Sequence, residues 1–286
     1  MIKASSDQRR WGWGVFVKAC QRGGGSHVFG DGCGDAFGSG GRFNTCFLVE
    51  AAGRRILLDC GASTPVALKA RGIDPVRIDG VLLSHLHGDH FGGLPFLLLD
   101  FHFLGRRETP FSIAGPPGTR ARLDAACEVL FPRSSENKWR FPLHVGEIVP
   151  GVEAEFLGFA VTTAEVIHYS GAPSTAVRLS TAGRTLAYSG DTQWTEALIG
   201  VAAGADLFIC ECYDYDRDLP GHMSWATLKS NLARLRAKRI MLTHMNPSML
   251  ARVEASEVMA SQRPATKALR SSSLFSMRRG LKVMLL

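Results

Sequence analysis

The stretch Leu82-Leu83-Ser84-His85-Leu86-His87-Gly88-Asp89-His90-Phe91-Gly92-Gly93 places three imidazoles and a carboxylate within six residues. Neutral imidazole nitrogens and carboxylate oxygens are the ligands that borderline divalent ions such as Zn²⁺ take. Four of them in one short turn can meet without help from distant segments, and a merely solvated loop has no need of the H-x-H-x-D-H order. Side-chain direction in an extended segment repeats every second residue, so His85 and His87 project to one side and suit one ion. Gly88 then lets the chain bend, and Asp89 and His90 can turn toward a second ion a few ångströms away.

Such a turn needs a scaffold, and the neighbouring sequence supplies one. Val81-Leu82-Leu83 reads as a buried strand that ends where the ligands begin, and Arg55 to Gly61 as a second, closed by a turn. Thr64-Pro65 opens a helical stretch to Ala70. Strand, helix and strand, with ligands at a strand's end, is the layout of a layered α/β sheet whose sites form on its loops. After Gly93, the run from Leu94 to Leu99 is apolar on every side and reads as a buried helix or a cap over the site. A strand near 111–113, the Gly115-Pro116-Pro117-Gly118 turn and a helix over 119–130 follow. Strands at 153–156 and 159–166 run into Ile167-His168-Tyr169, and those at 176–180 and 185–188 into Ser189-Gly190-Asp191-Thr192. A strand at 206–209 leads to Cys210-Glu211-Cys212. Gly221-His222-Met223-Ser224 opens a helix over 225–235, and the strand from Arg239 ends at Thr243-His244. His102 and His144 sit in no ligand-like context and read as ordinary histidines. The glycine-rich run Gly30 to Gly41 lacks the spacing of a dinucleotide loop or a P-loop and reads as a flexible loop on the substrate side.

Composition narrows the classes further. With 286 residues, 45% hydrophobic and 31 glycines, the chain suits a loop-rich enzyme whose core needs no disulfide. No apolar run approaches the roughly 18 to 20 residues of a membrane span. Arg9-Arg10 before Trp11-Gly12-Trp13 resembles an export signal, but Lys18 interrupts the apolar stretch and no cleavage pattern follows. Residues 1–25 therefore read as a poorly defined N-terminal tail and 26–286 as a single domain. Seven scattered cysteines with no C-x-x-C pair point to free thiols and a cytoplasmic setting. The net charge of +7, from 33 basic against 26 acidic residues, favours an anionic substrate.

The H-x-H-x-D-H segment resembles that of the metallo-β-lactamase fold superfamily, together with Leu57-Leu58-Asp59-Cys60-Gly61 before it and Ser189-Gly190-Asp191-Thr192 after it. The resemblance runs from about Gly30 to Met249, and beyond about residue 252 the match is weak. It implies an α/β fold, a four-layer αββα metallo-β-lactamase sandwich, and two divalent ions, Zn²⁺ or Mn²⁺. His85, His87 and His168 would hold the first ion, Asp89, His90 and His244 the second, and Asp191 would bridge them. Asp59 would order the ligand loop from behind. The reaction implied is hydrolysis by hydroxide held between the ions, with Asp89 orienting it.

Glu211 and His222 resemble the glutamate and histidine of the ribonuclease Z branch, where His222 would contact the phosphate and protonate the leaving oxygen while Glu211 orients its ring. His168 and Asp191 are 23 positions apart, which leaves no room for the tRNA-gripping arm of the long-armed members. A small or flexible phosphodiester, such as a cyclic nucleotide or an RNA end, fits better. The alternative is a carbonyl hydrolase of the same fold, a lactonase, thioesterase or β-lactamase-like enzyme. A flavin-linked version would need a further domain. The expected partners are an anionic small molecule or short nucleic acid and a second copy of the chain, with no membrane.

Overall fold

The computed structural model describes residues 16–19, 33–136, 138–253, 274–277 and 281–286, and its strands form two sheets of seven. One sheet runs β13 (Leu274–Met277), β14 (Leu281–Leu285), β2 (Phe47–Ala51), β3 (Arg54–Leu58), β4 (Gly80–Leu82), β5 (Phe111–Gly115), β6 (Leu143–Glu147). The other runs β1 (Phe16–Ala19), β12 (Arg239–Thr243), β11 (Leu207–Glu211), β10 (Arg184–Tyr188), β9 (Thr175–Thr181), β8 (Phe159–Glu165), β7 (Ala154–Phe156). Each sheet combines a parallel block, β3 to β6 in one and β10 to β12 with β1 in the other, with an antiparallel flank.

Alternation along the strands explains why the sheets stack. In β2 and β3, Phe47, Val49, Ile56 and Leu58 join the core shared with the second sheet, whereas Leu48 and Leu57 face the opposite way. That outer face is covered by α1 (Thr64–Ala70), α3 (Leu94–Leu99) and α4 (Thr119–Leu130), with Leu68, Leu97 and Leu123 buried against it. On the second sheet, α5 (Ala197–Ala202) and α6 (Trp225–Leu235) bury Leu198, Val201, Trp225 and Leu228. Strands with both faces buried read as near-continuous apolar runs, as Leu207-Phe208-Ile209 does. The expected four-layer αββα sandwich is the architecture observed.

Four features differ from the sequence reading. Phe16–Ala19, inside the stretch read as a tail, pairs in parallel with Arg239–Leu242 on what would otherwise be an open sheet edge. The helix over 94–99 does not stop there but widens into a π-helical turn, Asp100–Leu104. Leu143–Glu147 forms an edge strand that half-exposed, weakly patterned residues did not announce. A strand also lies at Leu274–Met277, within the unmatched region. The tail residues 1–15 and 20–25, the glycines Gly30 and Gly32, and residues 254–273 lie outside the described residues.

Candidate metal centre

Parallel strands of both sheets end at one edge, and the ligand-type residues sit on the loops that leave them. Asp59 follows β3, His85 follows β4, Asp191 follows β10, Glu211 closes β11 and His244 follows β12. Crevices beyond the carboxyl ends of parallel strands are where α/β sheets bind ligands. The two sheets are tied there by side chains: the Thr45 and Thr243 hydroxyls lie 3.2 Å apart, and Thr175 donates its backbone N–H and its hydroxyl to the Ser84 carbonyl.

The structure brings His85, His87 and His168 into one cluster and Asp89, His90, Asp191 and His244 into a second, with the ligand atoms of each within 4.8 Å of one another. Asp191 lies between them. Its Oδ2 is 3.2 Å from His90 Nε2, 3.2 Å from His244 Nε2 and 3.9 Å from His85 Nε2. His102, whose Nδ1 accepts from the Arg140 backbone, and His144 on edge strand β6 join neither cluster.

Outward-facing hydrogen bonds fix the rings. Buried Asp59 accepts from the Ser84 N–H at 2.7 Å, the Ser84 hydroxyl at 2.8 Å, the Tyr188 hydroxyl at 2.8 Å and His90 Nδ1 at 2.7 Å. Since the Ser84 hydroxyl donates to Asp59, it accepts from His85 Nδ1, 3.0 Å away. His168 Nδ1 donates to the Gly221 carbonyl at 2.8 Å. In each ring one nitrogen is thus committed to the protein, and the other turns inward. His87 Nδ1 and His168 Nε2 face each other at 2.9 Å.

These residues fit a metal. Buried His85 Nε2, His90 Nε2 and Asp191 Oδ1 have no hydrogen-bond partner, and leaving such atoms unsatisfied costs about 1–3 kcal/mol each. Atoms of this type converging without protein partners are what a divalent ion would satisfy. The backbone bears strain for the arrangement as well. Asp59 (φ 61°) and His244 (φ 57°) are non-glycine residues in the left-handed region, at a cost of about 1–3 kcal/mol each. Gly61 is required where it stands, since a Cβ there would lie 1.9 Å from the Asp89 carbonyl oxygen.

Protonation differs between the clusters. Burial, reinforced by neighbouring His90, pushes His85 well below the ordinary imidazole range; burial and His168 lower His87. In the second cluster burial opposes charge on His244, but Asp191, Asp89 and Glu211 outweigh it and push the ring up to about 10. Carboxylates likewise raise His90, while His90 and His244 overcome burial to hold Asp89 well below the usual carboxylate range.

A third grouping adjoins the second. Fully buried Glu211 accepts the Thr192 N–H at 2.8 Å and the Met223 N–H at 3.3 Å through Oε2. Its Oε1 receives His222 Nδ1 in a short hydrogen bond and lies 3.3 Å from His244 Nδ1. Burial opposes charge on His222, yet Glu211 raises its pKa above the ordinary value. Tyr213, which the sequence reading passed over, stacks on His222 with ring centroids 4.6 Å apart. Phe37 was missed too. Both line, with His87, Asp89, His168, Asp191 and His244, a cleft of about 330 Å³.

A family model described as Anti-Pycsar protein Apyc1 matches residues 27–263. The chain belongs to that family. It is also similar to a ribonuclease Z of Bradyrhizobium diazoefficiens, 28% identical over 274 residues, covering 77% of this chain and 88% of the relative. Among solved structures, the human short-form tRNase Z aligns with a TM-score of 0.63 and 25% identity over 76% of this chain and 92% of that one. The metallo-β-lactamase fold protein YhfI of Bacillus subtilis aligns with a TM-score of 0.64 and 21% identity, covering 80% and 90%. This Apyc1-family chain is accordingly a metallo-β-lactamase-fold, ribonuclease Z-like hydrolase, a metal-dependent phosphodiesterase. Among the described residues no helix is long and apolar enough to cross a membrane.

Proposed function

We propose that the protein hydrolyses a small or flexible phosphodiester, a cyclic nucleotide or a short RNA end, with two divalent ions, Zn²⁺ or Mn²⁺, held by His85, His87 and His168 and by Asp89, His90 and His244, and shared by Asp191. The observation that carries this reading is the Glu211–His222 pair beside the second cluster. An acid whose Nδ1 proton is secured by a buried carboxylate, and whose pKa is raised, is suited to protonating a departing alkoxide. Bound ions supply an acidified water and neutralise charge on the attacked phosphorus group. Asp89, held well into the anionic form, would orient that water; Asp59 holds the ring of His90 directly and that of His85 through Ser84. Among the described residues lining the cleft there is no lysine or arginine, which would leave the charge of an anionic substrate to the ions.

A small substrate is supported by the cleft of about 330 Å³ and by the segment between His168 and Asp191, occupied by the hairpin of β9 and β10 with no added arm. A homodimer is supported by an apolar groove lined by Pro65, Val66, Phe96, Phe103 and Leu104, of which Phe103 is 65% exposed. Six described cysteines are free and buried, in keeping with a reducing, cytoplasmic setting.

Turnover of bis(p-nitrophenyl) phosphate by wild type and His222→Ala tests the reading. The variant should lose diesterase activity by about 10²- to 10⁴-fold while retaining its metal. If the variant keeps full diesterase activity, or if a lactone or thioester is the better substrate of the wild type, the carbonyl hydrolase takes its place.

A further inference from the structure

We propose that Phe37 is the platform on which the nucleobase of the substrate stacks, so that the enzyme selects base-bearing over base-free phosphate esters; this rests on the phosphodiester reading above. Phe37 lines the metal cleft yet is 84% exposed. Other apolar side chains of this chain are as exposed, but among the described residues Phe37 is the one that stands in the lining of the metal cleft, where a bound substrate can cover it.

The loop that carries it is built to hold it in place. Asp35, only 1% exposed, accepts the Phe37 N–H at 3.1 Å, the Ser39 N–H at 2.9 Å and the Ser39 hydroxyl at 2.6 Å. Its own carbonyl receives Asn44 Nδ2 at 3.2 Å, and Asn44 Oδ1 is in turn held by the Ser63 N–H and hydroxyl. At the loop's base, the Cys33 carbonyl accepts the backbone N–H of His244 at 3.1 Å. The backbone beneath the ring is therefore registered to a residue of the second cluster, and a diester phosphate seated there leaves its organic part beside Phe37. The other aromatic of the lining, Tyr213, already stacks on His222 and is not available in the same way. Every base presents a π-face, so a single phenyl ring selects for a base without choosing among bases.

The experiment uses zinc-loaded full-length wild type, Phe37→Ala and Phe37→Trp, with bis(p-nitrophenyl) phosphate as reporter substrate. A nucleoside 5′-monophosphate and ribose 5-phosphate serve as competing product analogues. Stacking of one base on an aromatic ring is worth a factor on the order of ten to a hundred. Wild type should bind the nucleotide more tightly than the sugar phosphate by that factor. Phe37→Ala should abolish the difference at unchanged zinc content, and Phe37→Trp should restore it. Equal inhibition by the two compounds in wild type overturns the proposal, as does a preference that survives Phe37→Ala. A fall in sedimentation coefficient with Phe37→Ala and no change in preference would assign the ring to a subunit contact instead. Absence of reporter turnover by the zinc-loaded wild type would be failure of the diesterase reading itself.

Discussion

Both ligand clusters are built on imidazoles, and burial and neighbouring charges drive His85 and His87 one way and His90 and His244 the other. In the three-histidine group, burial and a neighbouring imidazole favour the neutral rings of His85 and His87, the form that binds a metal. In the group containing Asp89 and Asp191, the carboxylates outweigh burial and keep His90 and His244 protonated in the metal-free chain. Burial decides the state of an imidazole until enough carboxylates stand in contact with it to override the desolvation cost. His85 and His87 would take an ion without losing a proton, whereas His90 and His244 would have to release protons to do so.

The harshest way to break this contrast is to remove the residue both clusters share. Asp191→Ala should abolish retention of two ions and cut diesterase activity on the order of a thousand-fold or more, as read by metal analysis and steady-state rates. Asp59→Asn should weaken metal binding by about 10- to 100-fold, because His85, through Ser84, and His90 both depend on it. Competition with a chelator would show both ions affected, one from each cluster. Gly221→Ala should damage the three-histidine cluster alone: a Cβ there falls 2.7 Å from His168 Nδ1 at φ +81°, displacing the ring while Asp89, His90 and His244 keep their contacts. Stepwise titration should then lose the pH-insensitive binding event and keep the other.

The smallest effect concerns pH. Since His244 titrates near 10 in the metal-free chain, each proton displaced should strengthen metal binding to the carboxylate-bearing cluster by up to about ten-fold per pH unit between pH 6.5 and 9. The three-histidine cluster should change little over that range. Stability follows the opposite sign: the raised pKa stabilises the metal-free fold fully below about pH 6.5, and that contribution fades as pH rises through about 10. Calorimetry in buffers of different ionisation enthalpy and denaturant melts of metal-free protein read the two effects.

Much of this was legible because strand ends and ligands coincide along the chain. Thr64-Pro65 and Ser224, whose hydroxyl accepts the Thr227 N–H, mark helix starts in the sequence, and α1 and α6 occupy the ranges read from it. The dense His85 to His90 segment needed no partner to be noticed. What was not legible depends on distant contacts. The pairing of Phe16–Ala19 with β12 spans most of the chain, and the bond from His168 to the Gly221 carbonyl spans 53 positions. α5 has six residues, no side-chain cap and little periodicity to betray it. Phe37 was hidden by its setting: glycines suggested a flexible loop, whereas the hydrogen bonds of Asp35 tie its described part down. An Asp two residues before an aromatic in such a run was the available signal.

The central claim is a pair of ions held between two sheets, and stepwise zinc titration of metal-stripped protein, with elemental analysis of the product, tests it most directly. The account predicts two equivalents bound per chain in two separable events, only the second strongly pH-dependent. Retention of no more than a trace of metal, or of a single equivalent that survives Asp191→Ala unchanged, would contradict it.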